Sequence, residues 1–138
     1  MFDHCLYFNT TALARSLERE WTKAFKPLGL TPSQAFMLRV VLGKPSLLQH
    51  ELAKEMAISR PTATRTLDGL QKLGLVERRT TESDGREYAI YPTTSAGNIK
   101  ESLDAASVAV TKRLKKELGS NHFEETVSKM RTIRTALE

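Results

Sequence analysis

The stretch Ser46–Pro92 constrains this chain more than any other. Ser46-Leu-Leu-Gln-His-Glu-Leu-Ala-Lys-Glu-Met56 and Ser59-Arg-Pro-Thr-Ala-Thr-Arg-Thr-Leu-Asp-Gly-Leu-Gln-Lys-Leu73 each have the length of a short helix, and Ala57-Ile58 leaves room only for a tight corner. That spacing predicts a helix-turn-helix. Two β-prone runs follow, Leu75–Thr80 and Glu87–Tyr91, separated by Thr81-Glu-Ser-Asp-Gly-Arg86, whose Asp-Gly favours a turn. Such an order can put one helix into a wide DNA groove and an arginine beside it.

The flanks are helical by period. Leu6, Leu13, Leu17, Trp21, Phe25 and Leu28 predict a long first helix ending near Lys26-Pro27. Thr31-Pro32-Ser33-Gln34 combines a capping box with proline in the first turn, so a second helix starts there with Ala35, Leu38, Val41 and Leu42 inward. Ser46 with Gln49 repeats the capping spacing and predicts the start of the third, with Leu48, Leu52, Ala53 and Met56 inward. Ser59 is the expected N-cap of the fourth, whose apolar face is Ala63, Leu67, Leu70 and Leu73, and Gly74-Leu75 is its Schellman-type stop. From Ser95, Ile99, Leu103, Ala106, Val110, Leu114 and Leu118 share one face of a long fifth helix. Gly119 breaks it, and Asn121 with Glu124 suggests a cap for a last helix carrying Phe123, Val127, Met130 and Leu137.

The expected architecture is therefore mainly α with a small β-hairpin, in one domain over residues 1–138. A winged helix-turn-helix occupies about 31–92, between terminal helices at about 1–28 and 95–138. No run approaches the ~20 apolar residues of a membrane span, and Met1-Phe2-Asp3-His4 does not read as a signal-peptide start. Cys5 alone cannot build a disulfide framework, and a single cysteine suits a reducing cytoplasm. The formal charge of +5 favours acidic partners but is spread along the chain: seven cations against five anions in residues 1–56, six against five in 57–92, eight against six in 93–138. Placement of individual residues, not net charge, has to carry a nucleic-acid reading.

That placement is specific. A helix N-terminus offers free N–H groups and a positive dipole end, and short polar side chains there reach base edges without blocking approach. Ser59, Arg60, Thr62, Thr64 and Arg65 supply them on the outer side of the fourth helix. Thr31, Ser33, Ser46 and Gln49 stand at other expected helix starts, where backbone amides could hold phosphates. In the hairpin, Asp84 could brace Arg86 for the narrow minor groove while Arg78 and Arg79 line the stem.

Glu51-Leu52-Ala53, Ser59-Arg-Pro-Thr-Ala-Thr-Arg65, Leu73-Gly-Leu-Val-Glu-Arg78, Asp84-Gly-Arg86 and Thr94-Ser-Ala-Gly97 together resemble the MarR family of winged helix-turn-helix regulators. The resemblance covers essentially the whole chain. Thr93, preceded by Pro92, departs from it, standing where the family usually has leucine, which bears on where the second wing strand ends. The resemblance implies a homodimer paired through its first, fifth and sixth helices. It implies two reading helices about 34 Å apart on a pseudo-palindromic operator of double-stranded DNA. It implies repression relieved by a small-molecule effector entering between the first, second and fifth helices, with no cofactor.

Other readings are weaker. A thiol-based redox repressor would use Cys5, but counting back from Phe25-Lys26-Pro27 puts the peroxide-sensing position of that branch near Thr11, so a buried or inert thiol is expected. His4, His50 and His122 are too scattered for a metal site. A non-specific DNA-coating protein and a protein-interaction module could share the scaffold. An enzyme is disfavoured, because no acid, base and nucleophile cluster or phosphate-binding glycine loop stands out.

Overall fold

The computed structural model describes residues 1–81 and 87–138. Helix α1 (Leu6–Phe25) runs into a 3-10 turn at Lys26–Leu28, followed by α2 (Pro32–Gly43), α3 (Gln49–Glu55) and α4 (Arg60–Lys72). Strands β1 (Val76–Thr80) and β2 (Tyr88–Pro92) then pair antiparallel, with Val76 opposite Pro92 and Thr80 opposite Tyr88. Helices α5 (Thr94–Leu118) and α6 (Ser120–Leu137) complete the order. This is a winged helix-turn-helix with helices on either side of it in sequence.

Local chemistry sets most boundaries. Thr31 and Gln34 form a complete capping box, the Gln34 N–H donating to Thr31 Oγ1 at 3.2 Å and the Thr31 N–H to Gln34 Oε1 at 3.0 Å. After α4, Gly74 turns at φ +72°; its N–H donates to the Gln71 carbonyl and the Leu75 N–H reaches back to Leu70. That is the expected Schellman stop, and only glycine takes that backbone without strain. Thr93 accounts for the family departure: its hydroxyl accepts from the Ala96 N–H to cap α5 and donates to the Gly74 carbonyl at 2.6 Å, while its own N–H donates to Leu75. Strand β2 ends at Pro92, and one threonine joins the close of α4 to the opening of α5.

The core gathers Phe25, Leu38, Val41, Leu52, Ala63, Leu67, Leu70, Ile90 and Leu103, with Met37 buried among them. Phe25 meets Phe36 edge to face at 5.9 Å between ring centres.

Three expectations about these elements need correction. Ser46 does not start α3: it sits at φ +76° and donates its N–H to the Ile90 carbonyl at 2.9 Å, so the chain first pairs with β2, and Leu48 bridges Ala89. Leu48 takes the N-cap place instead, its N–H donating to Glu51 Oε1 at 2.9 Å. Leu73 is 51% exposed rather than inward, because it is the C-cap of α4 and the chain turns away at Gly74. No Asn121–Glu124 cap forms, since Gly119 at φ +85° lets α6 start directly at Ser120.

Candidate nucleic-acid interface

Ser59 caps α4 as its sequence predicts, its hydroxyl accepting from the Thr62 N–H at 3.3 Å and donating to Thr62 Oγ1 at 2.9 Å. Arg65 Nη2 also donates to Thr62 Oγ1, at 3.2 Å. Both lone pairs of that oxygen are thus occupied, and what Thr62 has left to offer is its proton. Such a hydroxyl is matched to an acceptor: a phosphate oxygen or a purine N7. Thr64 is differently engaged. It donates to the Arg60 carbonyl at 3.0 Å and accepts from Gln49 Nε2 at 2.8 Å, tying α3 to α4 across the corner.

Arg60 and Arg65 are exposed, and neither has a carboxylate partner among the described residues. Arg60 opens onto a groove of ≈ 680 Å³ between α3, α4 and the hairpin, lined also by Gln49, His50, Thr64, Asp68, Gln71, Arg78, Glu87 and Tyr88. The two carboxylates there each have a partner: Asp68 Oδ1 lies 2.8 Å from Arg78 Nη2, and Glu87 Oε1 3.1 Å from His50 Nδ1. Both of the groove's acids are thus held by partners within it, while no described acid engages the cations at the α4 start. Such a surface attracts a polyanion.

Strand alternation separates the hairpin arginines. Arg78 turns toward α4, and its side chain is only 15% exposed. Arg79 lies on the other face, its guanidinium 3.9 Å from the centre of the Tyr91 ring and paired with Glu77. They do not line one stem surface together. Asp84 and Arg86 lie outside the described residues.

The other helix starts differ in what they have free. At α2, the capping box uses the Thr31 and Gln34 N–H groups and Pro32 has none, leaving the exposed Ser33 to offer its hydroxyl and N–H in that turn. The α2 start lies beside α4: a Cβ on Gly69 would come within 2.8 Å of Gln34 Nε2. Gln49 is the first residue of α3, committed to Thr64, and Ser46 belongs to the β2 contact.

The sequence alone assigns no role to Asp68 or Gln71 and offers His50 only as a metal ligand. The signal for two of them was present, since Asp68 and Gln71 follow Thr64 at i+4 and i+7 on one helix face. Cys5 is exposed, not buried, and stands immediately before α1. A second groove of ≈ 470 Å³ is lined by Ala14, Leu17, Glu18 and Trp21 of α1, Pro32, Ser33 and Phe36 of α2, and Met56 and Ile58 at the α3–α4 corner. Among the described residues no helix is long and apolar enough to cross a membrane.

Residues 28–87, spanning the helix-turn-helix and most of the wing, match the sequence model of the MarR family, and solved MarR-family structures superpose on nearly the whole chain. The matched segment is that of a MarR-family winged helix-turn-helix. A Staphylococcus aureus MepR–DNA complex aligns over 99% of this chain and 100% of that one, with a TM-score of 0.87 at 17% identity. The transcriptional repressor CouR, bound to a 23-mer DNA duplex, aligns over 96% of this chain and 94% of its own, with a TM-score of 0.84 at 25% identity. A Thauera aromatica protein named as a transcriptional regulatory protein for the hcr operon is 34% identical over 65 residues, 47% of this chain. The match spans 39% of that relative's length.

Proposed function

We propose that this chain is a sequence-specific duplex-DNA-binding transcriptional regulator of the MarR family, acting in the cytoplasm as a homodimeric repressor released by a small-molecule effector. The observation that carries the reading is the face of α4. A capped helix start presents two arginines without a described carboxylate partner and a proton-donating Thr62, beside a groove whose acids are already matched. Ser59, Arg60, Thr62 and Arg65 contact the major groove in this reading, and Ser33 takes a phosphate. The wing motif assigns Arg86 to the adjoining minor groove in this reading. The fold shared with MepR and CouR, both solved with DNA, supports it.

In the same reading residues 31–92 form the reading head, and the terminal helices pair two copies. Leu6, Tyr7 and Leu13 on α1 and Val127, Met130, Ile133 and Leu137 on α6 are exposed in the single chain. Apolar faces of that extent call for a partner, and a two-fold pair sets two α4 helices one DNA turn apart. An effector seated in the α1–α2 groove would press on Met56 and Ile58, next to the Ser59 cap, and so could alter how α4 is presented.

Selection of bound fragments from the organism's own DNA, against random competitor, tests the proposal. A recurring pseudo-palindrome bound at least about 10³-fold tighter than competitor is expected. Fragments with no shared sequence would identify a non-specific DNA-coating protein instead.

A further inference from the structure

Arg78 is the most sheltered charged side chain of the groove, and its contacts point at the helix. Nη2 donates to Asp68 Oδ1 at 2.8 Å, and Nη1 donates to Gln71 Oε1. Asp68 and Gln71 lie three residues apart on one face of α4, so a single planar guanidinium on β1 ties down both. Two of the five guanidinium N–H groups are committed in these bonds, and with the side chain only 15% exposed the other three have little access to a phosphate. Retained, the bonds have a second effect: with Oε1 engaged, the Gln71 amide keeps its NH₂ as a donor, and Asp68 keeps Oδ2 as an acceptor. That is one donor and one acceptor at fixed spacing, suited to base edges.

Resting on the reading that this face of α4 meets DNA, we propose that Arg78 is a positioning residue, a strut that fixes the wing against α4 and orients Asp68 and Gln71 as further specificity determinants, without touching DNA itself. A lysine could keep the charge but not the planar fork that bridges two acceptors.

The test compares wild type with Asp68→Asn, Arg78→Gln, Arg78→Lys and the Asp68→Asn/Arg78→Gln double variant. It measures anisotropy titrations of a selected duplex and a random duplex at several salt concentrations. Simple electrostatics predicts that Asp68→Asn, which removes a negative charge facing DNA, tightens binding to both duplexes. The strut predicts the opposite sign: each single variant, Arg78→Lys included, loses about tenfold on the selected duplex, and the double variant loses no more than one single. Affinity for random duplex and the salt slope stay at wild-type values. A salt slope reduced by about 0.9 in Arg78→Gln but retained in Arg78→Lys would make Arg78 a phosphate contact and overturn the proposal. So would tighter binding by Asp68→Asn.

Amide exchange of the free protein tests the strut without DNA. Faster exchange along β1 is expected in the Asp68 and Arg78 variants with α5 unchanged, and wild-type exchange in β1 would refute it. Wild type that binds no duplex would defeat the DNA reading, while the exchange result would still judge the strut.

Discussion

Helices α4 and α6 are both amphipathic, and they end up in opposite states. In α4 the inward residues Ala63, Leu67 and Leu70 are fully buried, Ser59 caps the start and a glycine motif closes the end. In α6 no residue is buried, no side chain caps the start, and Val127, Met130, Ile133 and Leu137 stay in contact with water. The contrast shows two roles for apolar periodicity. One face is covered by its own chain, whereas the other is not. The core of the winged helix-turn-helix is thus complete within one copy, and in the proposed homodimer the terminal helices would set how two heads are spaced.

The largest test of this contrast is truncation in each region. Leu67→Ala is expected to cost about 2–5 kcal/mol by urea unfolding, because it leaves a cavity in a packed core. Val127→Ala should stay within about 0.5 kcal/mol in dilute protein and become costly only at concentrations where copies pair. Equal costs at every concentration would erase the distinction.

Arg65→Ala should cost about 1–3 kcal/mol on the selected operator and relax base choice there, with an unchanged urea midpoint. Equal loss on random DNA would make Arg65 a phosphate anchor. Thr93→Val removes the α5 cap and the bond to Gly74, and should lose about 0.5–2 kcal/mol of stability by thermal unfolding, with Thr93→Ser recovering most of it.

The smallest effect is expected at the link between the two regions, where Asp104 on α5 meets Lys100 at 2.8 Å and Arg39 on α2 at 3.0 Å. The Lys100 hydrogen bond holds the Asp104 carboxyl below its ordinary range, with Arg39 adding to it and partial burial opposing. A lowered folded-state value means that the stabilisation is fully present above the ordinary carboxylate range and is lost as pH falls through the lowered one. Asp104→Asn should therefore cost no more than about 1 kcal/mol at neutral pH, given the partial exposure of the pair. In unfolding curves taken at descending pH that difference should close.

What the sequence made legible is what neighbouring residues decide. The capping box at Thr31, the Ser59 cap and the Gly74 stop all depend on atoms within a few positions, and each forms as expected. Ser46 misled because its partner, Ile90, lies far along the chain, and a strand contact overrode a plausible cap. The split between Arg78 and Arg79 follows from strand alternation, but the bonds from Arg78 to Asp68 and Gln71 exist only once the hairpin folds back on α4. Thr93 looked like a departure, and only the approach of Gly74 shows what it holds. The roles of Asp84 and Arg86 remain proposals resting on the motif alone.

Hydroxyl-radical footprinting of wild type and Arg65→Ala on the selected fragment tests the central claim most directly. Two protected patches on one face of the duplex, centred about 34 Å apart and both weakened in the variant, are the predicted result. Continuous protection that ignores groove phase and is indifferent to Arg65 would contradict docking through the outer face of α4.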